Sequence, residues 1–126
     1  EFVRHGAQVL FVITNDGWWR DSPGYRQHFA FARLRAVETR RSIARSANTG
    51  SSGFINQRGD VLQKSDYDVQ LAMRATINLN DEITPYVLHG DMIGRISYLA
   101  AILIMILAGV RFLRRFGKHT PYGGRS

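Results

Sequence analysis

Cysteine is absent from the 126 residues. Without a thiol these residues hold no disulfide framework, no thiolate-bound zinc and no cysteine nucleophile. Acidic residues are scarce at one end: residues 91–126 carry one Asp against six Lys or Arg, whereas residues 1–90 carry nine Asp or Glu against eleven Lys or Arg. The net charge of +7 therefore sits mainly in a short C-terminal segment, and the larger first part is close to neutral. That distribution argues against a nucleic-acid partner and for a membrane, because a basic cluster beside an apolar stretch matches an anionic lipid surface. A composition of 44% hydrophobic and 21% charged residues excludes a disordered tail and a collagen-like repeat.

Charge is missing altogether between Arg95 and Arg111. The fifteen residues Ile96 to Val110 are rich in Ile and Leu, and as a helix they span roughly 22 Å. Extended to Ile93 and Leu113 the helix reaches about 31 Å, enough for a hydrocarbon core of ~30 Å if Arg95 and Arg111 send their guanidinium groups out to the headgroups. Eight strongly apolar side chains contribute roughly −2 to −5 kcal/mol towards insertion. A buried core helix is the alternative, and the flanks weigh against it. Arg111, Arg114, Arg115, Lys118 and Arg125 follow the run and only Arg95 sits at its start, the asymmetry of a C-terminus held in the cytoplasm. The expected organisation is an outer, periplasmic domain over residues 1–90, a transmembrane helix over 91–113 and a basic cytoplasmic tail over 114–126. Glu1-Phe2-Val3-Arg4-His5 is not a signal peptide, so an exported domain here implies sequence upstream of Glu1.

Within residues 1–90, Val9 to Ile13 reads as an interior strand covered on both faces. Asn15-Asp16-Gly17 ends it and opens a loop holding Trp18 and Trp19. Proline and glycine are absent from residues 25–41, where Phe29, Ala32 and Ala36 with Ala30, Leu34 and Val37 predict an amphipathic helix. The Arg-rich outer face of that helix reads as solvated or internally paired, Glu38 answering Arg35 or Arg41. Ile43 to Ala47 is a short strand, and Gly53–Lys64 is a hairpin turning at Gln57-Arg58-Gly59-Asp60. Strict alternation of Val69, Leu71, Met73, Ala75, Ile77 and Leu79 predicts the clearest strand of all.

The usual catalytic signatures are lacking. Gly50-Ser51-Ser52-Gly53 is one residue short of a nucleophile elbow. His5, His28, His89 and His119 have no zinc-ligand spacing, and no glycine-rich phosphate loop is present, so neither metal nor cofactor is called for. Composition and spacing alone describe an α/β segment tied to a membrane.

The order of the segments adds to this. Gly6-Ala7-Gln8-Val9-Leu10-Phe11, then Thr14-Asn15-Asp16-Gly17-Trp18-Trp19, Gln27-His28, Ala32-Arg33-Leu34-Arg35-Ala36-Val37-Glu38, Arg45-Ser46-Ala47-Asn48-Thr49-Gly50, the Gly59-Asp60 turn, and Thr84-Pro85-Tyr86 with Gly90-Asp91 before a last apolar helix resemble the C-terminal part of the apolipoprotein N-acyltransferases. These are membrane members of the carbon-nitrogen hydrolase (nitrilase) superfamily. Gly17 and Trp19 depart mildly from the family's S-N-D-A-W-F segment, which bears on acyl-chain preference. The resemblance implies a partial α-β-β-α sandwich on the periplasmic side of the cell inner membrane. It further implies transfer of an acyl chain from a phospholipid donor to the N-terminal amine of a diacylglyceryl-cysteine lipoprotein acceptor.

The family's route passes through a Cys thioester with a Glu base and a Lys at the oxyanion, chemistry that suits a thiolate beside a base and a cation. All three residues precede the segment matched from Gly6 onward. Lys64 and Lys118 do not stand in for that Lys, so this chain is expected to be inert alone. Supporting roles are left to Asn15, Asp16, Trp18 and Trp19 as a substrate-binding rim, against the plainer reading in which they only shape and pack a turn. His28 and Glu38 are expected as helix-anchoring partners. A nitrilase-type amidase, which needs no membrane helix, and a non-catalytic membrane-anchored module are the competing readings. Residues 1–90 alone are expected to be aggregation-prone, because strand edges and apolar faces would lack covers.

Overall fold

The computed structural model describes residues 1–117 and divides them into two units, the first from Glu1 to Gly90 and the second beginning at Asp91. In the first unit, β1 (Val9–Thr14) leads through a turn at Gly17–Trp19 into α1 (Pro23–Thr39). Ser22 starts that helix by accepting the Gly24 N–H, and Pro23 occupies the first turn, where a missing N–H costs nothing. Arg40 ends it in a left-handed conformation at φ 52°. The chain then returns as β2 (Ser42–Ala47), parallel to β1 and in register from Val9 against Ser42 to Thr14 against Ala47. β3 (Gly53–Ile55) and β4 (Val61–Lys64) follow as an antiparallel hairpin, giving one four-stranded mixed sheet in the order β1-β2-β3-β4. The hairpin turns at Gly59, φ 84°, where a Cβ would strike a Val37 methyl of α1.

One face of this sheet packs on α1. Phe29, Ala32 and Ala36 from the helix meet Ile43 and Ile55, with Leu10 and Val12 beside them. The buried stripe of α1 is narrower than its apolar content suggests: Tyr25, Phe29, Ala32 and Ala36 are buried, while Ala30, Leu34 and Val37 are exposed. Arg41 is fully buried and tied to main-chain oxygens, Nε donating to Ala7 at 2.6 Å and Nη1 to Glu82 at 2.8 Å. α2 (Pro85–His89) is capped by Thr84, whose Oγ1 accepts the Val87 N–H and donates to the Glu38 carbonyl.

Two sequence expectations need correction. β1 is an edge strand of the described sheet, paired with β2 alone, and Phe11 and Ile13 on the face away from α1 are 74% and 89% exposed. The apolar run marks a strand with two apolar sides, of which this unit covers one. Residues 69–79 form no strand. They run without ladder partners, and the alternation survives only as half-burial of Met73, Ala75 and Ile77 between exposed Arg74, Thr76 and Asn78. One-sided burial of an extended segment produces the same period of two that a paired strand does.

The second unit is α3 (Met92–Gly117), about 39 Å long at helical rise. Its Met92–Arg115 portion is long and apolar enough to cross a membrane, and none of that window is buried in protein. Asp91 caps its start, Oδ1 accepting the Gly94 N–H at 2.7 Å. The helix continues past the expected end of the span, so Arg114 and Arg115 of the basic tail are helical. The rest of the expected cytoplasmic tail, from Lys118 on, lies outside the described residues.

Candidate functional site

Parallel strands β1 and β2 end side by side, and sites in such sheets gather where parallel strands end. The Asn48 N–H donates to the Thr14 carbonyl there, and three loops converge: residues 15–22 after β1, 48–52 after β2 and 65–68 after β4. The second and third loops are laced together. The Ser52 N–H donates to Ser65 Oγ, the Ser65 N–H to the Ser52 carbonyl and the Asp68 N–H to the Gly50 carbonyl.

The four expected rim residues separate into two pairs. Asn15 is exposed, and its Oδ1 accepts the Gly17 N–H at 3.0 Å in a side-chain turn. Asp16 is fully buried, its Oδ2 2.6 Å from Arg45 Nη2 and its Oδ1 2.8 Å from His28 Nδ1. Thr14 Oγ1 adds a longer donor bond to Oδ1. Trp18 is 86% exposed and Trp19 41% exposed, so indole surface faces out where the carboxylate faces in. Trp19 is nevertheless anchored: it meets the His28 ring edge-on with centroids 5.0 Å apart, and lies over Gly24, where a Cβ would come within 2.5 Å of Cδ1. The two expected partners are found: His28 holds Asp16, and Glu38 holds Arg35 at 2.6 Å.

Arg45 and Gly50 are the residues that sequence reading left without a role. Arg45 is buried in β2, reaches Asp16 and the Ser51 carbonyl, and lies over the Phe29 ring. An arginine inside a short, otherwise uncharged strand was the available signal, since a buried guanidinium demands an anion. Gly50 sits at φ 98° with no room for a Cβ against Asp16. The serines of the would-be nucleophile loop are spent on structure: Ser51 is buried, and Ser52 Oγ accepts the Ala47 N–H. Within the third loop Tyr67 packs on Tyr25 with rings tilted by 43° and centroids 4.7 Å apart, and burial, reinforced by Asp68, raises its phenol above the ordinary range. Arg26 is raised too, by its bond to the Tyr25 hydroxyl.

Two clefts flank the loops. One of about 530 Å³ is polar, lined by Ser46, Asn48, Asp68 and Gln70 among others. The other, about 470 Å³, is apolar and runs over the open sheet face between Phe11, Ile13, Phe54, Leu71 and Met73. Among the described residues no three His, Asp or Glu side chains converge as a metal site would require. The arrangement offers exposed indole and sheet surface beside a buried Asp16–Arg45 ion pair.

No family model matches the sequence. Curated proteins do. The chain is 39% identical over 110 residues to an apolipoprotein N-acyltransferase of Chlorobaculum tepidum, an alignment covering 87% of this chain and 21% of that protein. The corresponding protein of Thermotoga maritima is 34% identical over 116 residues, 92% of this chain and 23% of its own length. That of Agrobacterium fabrum is 37% identical over 112 residues, 87% and 21% respectively. The chain belongs to the apolipoprotein N-acyltransferase family. It spans about a fifth of the length of the family members it matches, and by its extent alone the matched portion takes in the loop after β2 and most of the apolar helix.

Proposed function

We propose that this chain is part of a membrane N-acyltransferase that moves an acyl chain from a phospholipid to the N-terminal amine of a diacylglyceryl-cysteine lipoprotein. The observation that carries the reading is similarity over nearly the whole chain to proteins named for that activity. In this reading the Cys that forms the thioester, the Glu base and the Lys lie in the portion of the longer protein that these residues do not include, which agrees with the absence of cysteine here. A thioester splits the transfer into two steps: the thiolate takes the acyl group from the phospholipid, and the lipoprotein amine then takes it from the sulfur.

The present residues supply the frame. The open sheet face around Phe11, Ile13 and Phe54 packs against a second sheet to complete an α-β-β-α sandwich, a reading supported by the exposed apolar side chains of Phe11 and Ile13. Asn15, Asp16, Trp18 and Trp19 form a substrate-side rim in which Asn15 and Asp16 set the loop and the indoles offer apolar surface to lipid chains. α3 crosses the inner membrane with residues 1–90 in the periplasm and the Arg-rich end in the cytoplasm. The test is acyl transfer by the full-length protein, from labelled phospholipid to a diacylglyceryl lipopeptide, with its nucleophilic Cys changed to Ala. Activity lost in that variant and present in the parent is expected. Unchanged activity would end the thioester proposal.

A further inference from the structure

Arg45 by itself neutralises Asp16, since Nη2 stands 2.6 Å from Oδ2 and both side chains are fully buried. His28 nonetheless makes a second bond to the other oxygen, at 2.8 Å, from a ring that is 35% exposed. The same Nδ1 lies 3.2 Å from Arg45 Nη2. One neutral imidazole nitrogen cannot donate to the carboxylate and accept from the guanidinium at once, and the shorter, charge-assisted contact assigns the proton to Nδ1. The bond to Asp16 is thus surplus as charge compensation. What it accomplishes is read from the ring's further contact, with Trp19, which rests edge-on to it at 61° with centroids 5.0 Å apart. That indole is confined again by Gly24 at the start of α1.

We propose that His28 is a positioning residue for Trp19. Its imidazole joins the buried carboxylate at the end of β1 to the indole of the following loop, and so fixes the surface that the loop presents. The consequence for acyl-donor binding rests on the function proposed above; the positioning itself does not. A helix-anchoring His28 would need only the Asp16 bond, whereas a positioning His28 needs the bond and the ring together.

Two substitutions separate these. His28→Asn keeps a donor near the Nδ1 position and removes the ring; His28→Phe keeps a ring and removes the donor. The full-length protein is labelled with 5-fluorotryptophan, and the fluorine resonance of Trp19 is identified by its loss in Trp19→Phe. Both His28 variants are expected to shift or broaden that resonance. They are also expected to raise the KM for phospholipid about two- to tenfold, the span an aromatic pair is worth, while kcat stays within about twofold. A Trp19 resonance unmoved in His28→Asn would reduce His28 to a helix anchor and overturn the proposal. One unmoved in His28→Phe would overturn it equally, because the bond to Asp16 would then play no part. Should His28→Phe fail to accumulate, His28→Tyr, which also keeps a ring and has no donor at the Nδ1 position, takes its place with the same expectation. If the parent protein transfers no acyl chain while the resonance moves in both variants, the positioning of Trp19 stands and the acyltransferase reading falls.

Discussion

The two faces of the sheet are built from the same strands and meet different fates. Towards α1, Leu10, Val12, Ile43 and Ile55 close on Phe29, Ala32 and Ala36. Away from it, Phe11 and Ile13 are as apolar and stand open. A strand's alternation distributes side chains without regard to which side has a cover, so both sides of β1 are apolar although the described residues cover only one. The side served by a helix a few residues downstream is satisfied locally; the other awaits the second sheet of the proposed sandwich.

The largest test of that difference is to express residues 1–90 alone. They are expected to bind a hydrophobic dye, to lose near-ultraviolet dichroism and to aggregate, because the open face stays uncovered. A sharp two-state melt would abolish the contrast between the faces. Next come paired truncations. Phe29→Ala is expected to cost about 3–5 kcal/mol in denaturant unfolding of the full-length protein. Phe11→Ala should cost a comparable amount there, yet cost almost nothing and improve solubility in residues 1–90, as light scattering would register. A Phe11 substitution without effect in the full-length protein would mean that the open face stays open. The smallest effect belongs to the outer side of α1. Arg35→Ala removes the exposed member of an ion pair whose Glu38 is half-buried, and thermal unfolding should move by about 1 kcal/mol.

Local pattern made much of this legible in the sequence. β1, α1, β2 and the Gly53–Lys64 hairpin were readable because their periods, caps and turn residues lie within a few positions of one another. What failed was non-local. The edge position of β1 depends on which strands are neighbours, and the extended course of residues 69–79 depends on whether a partner is there to pair with. At the candidate site the tryptophan loop was visible as loop chemistry. The pairing of Asp16 with Arg45, 29 residues apart, has no local signature at all. His28 was readable as a partner, and its second contact, with Trp19, was not, since an edge-on ring contact leaves no trace in spacing.

Arg41 adds a constraint in time. Its guanidinium lashes the carbonyl of Ala7 to that of Glu82, joining the first strand's approach to the far end of the unit. The α1 side of the sheet can assemble as soon as β3 has emerged, but this knot cannot be tied until the ribosome has delivered Glu82. Closure of such a distant contact is slow relative to local pairing, so the last step in shaping the first unit waits for its far end.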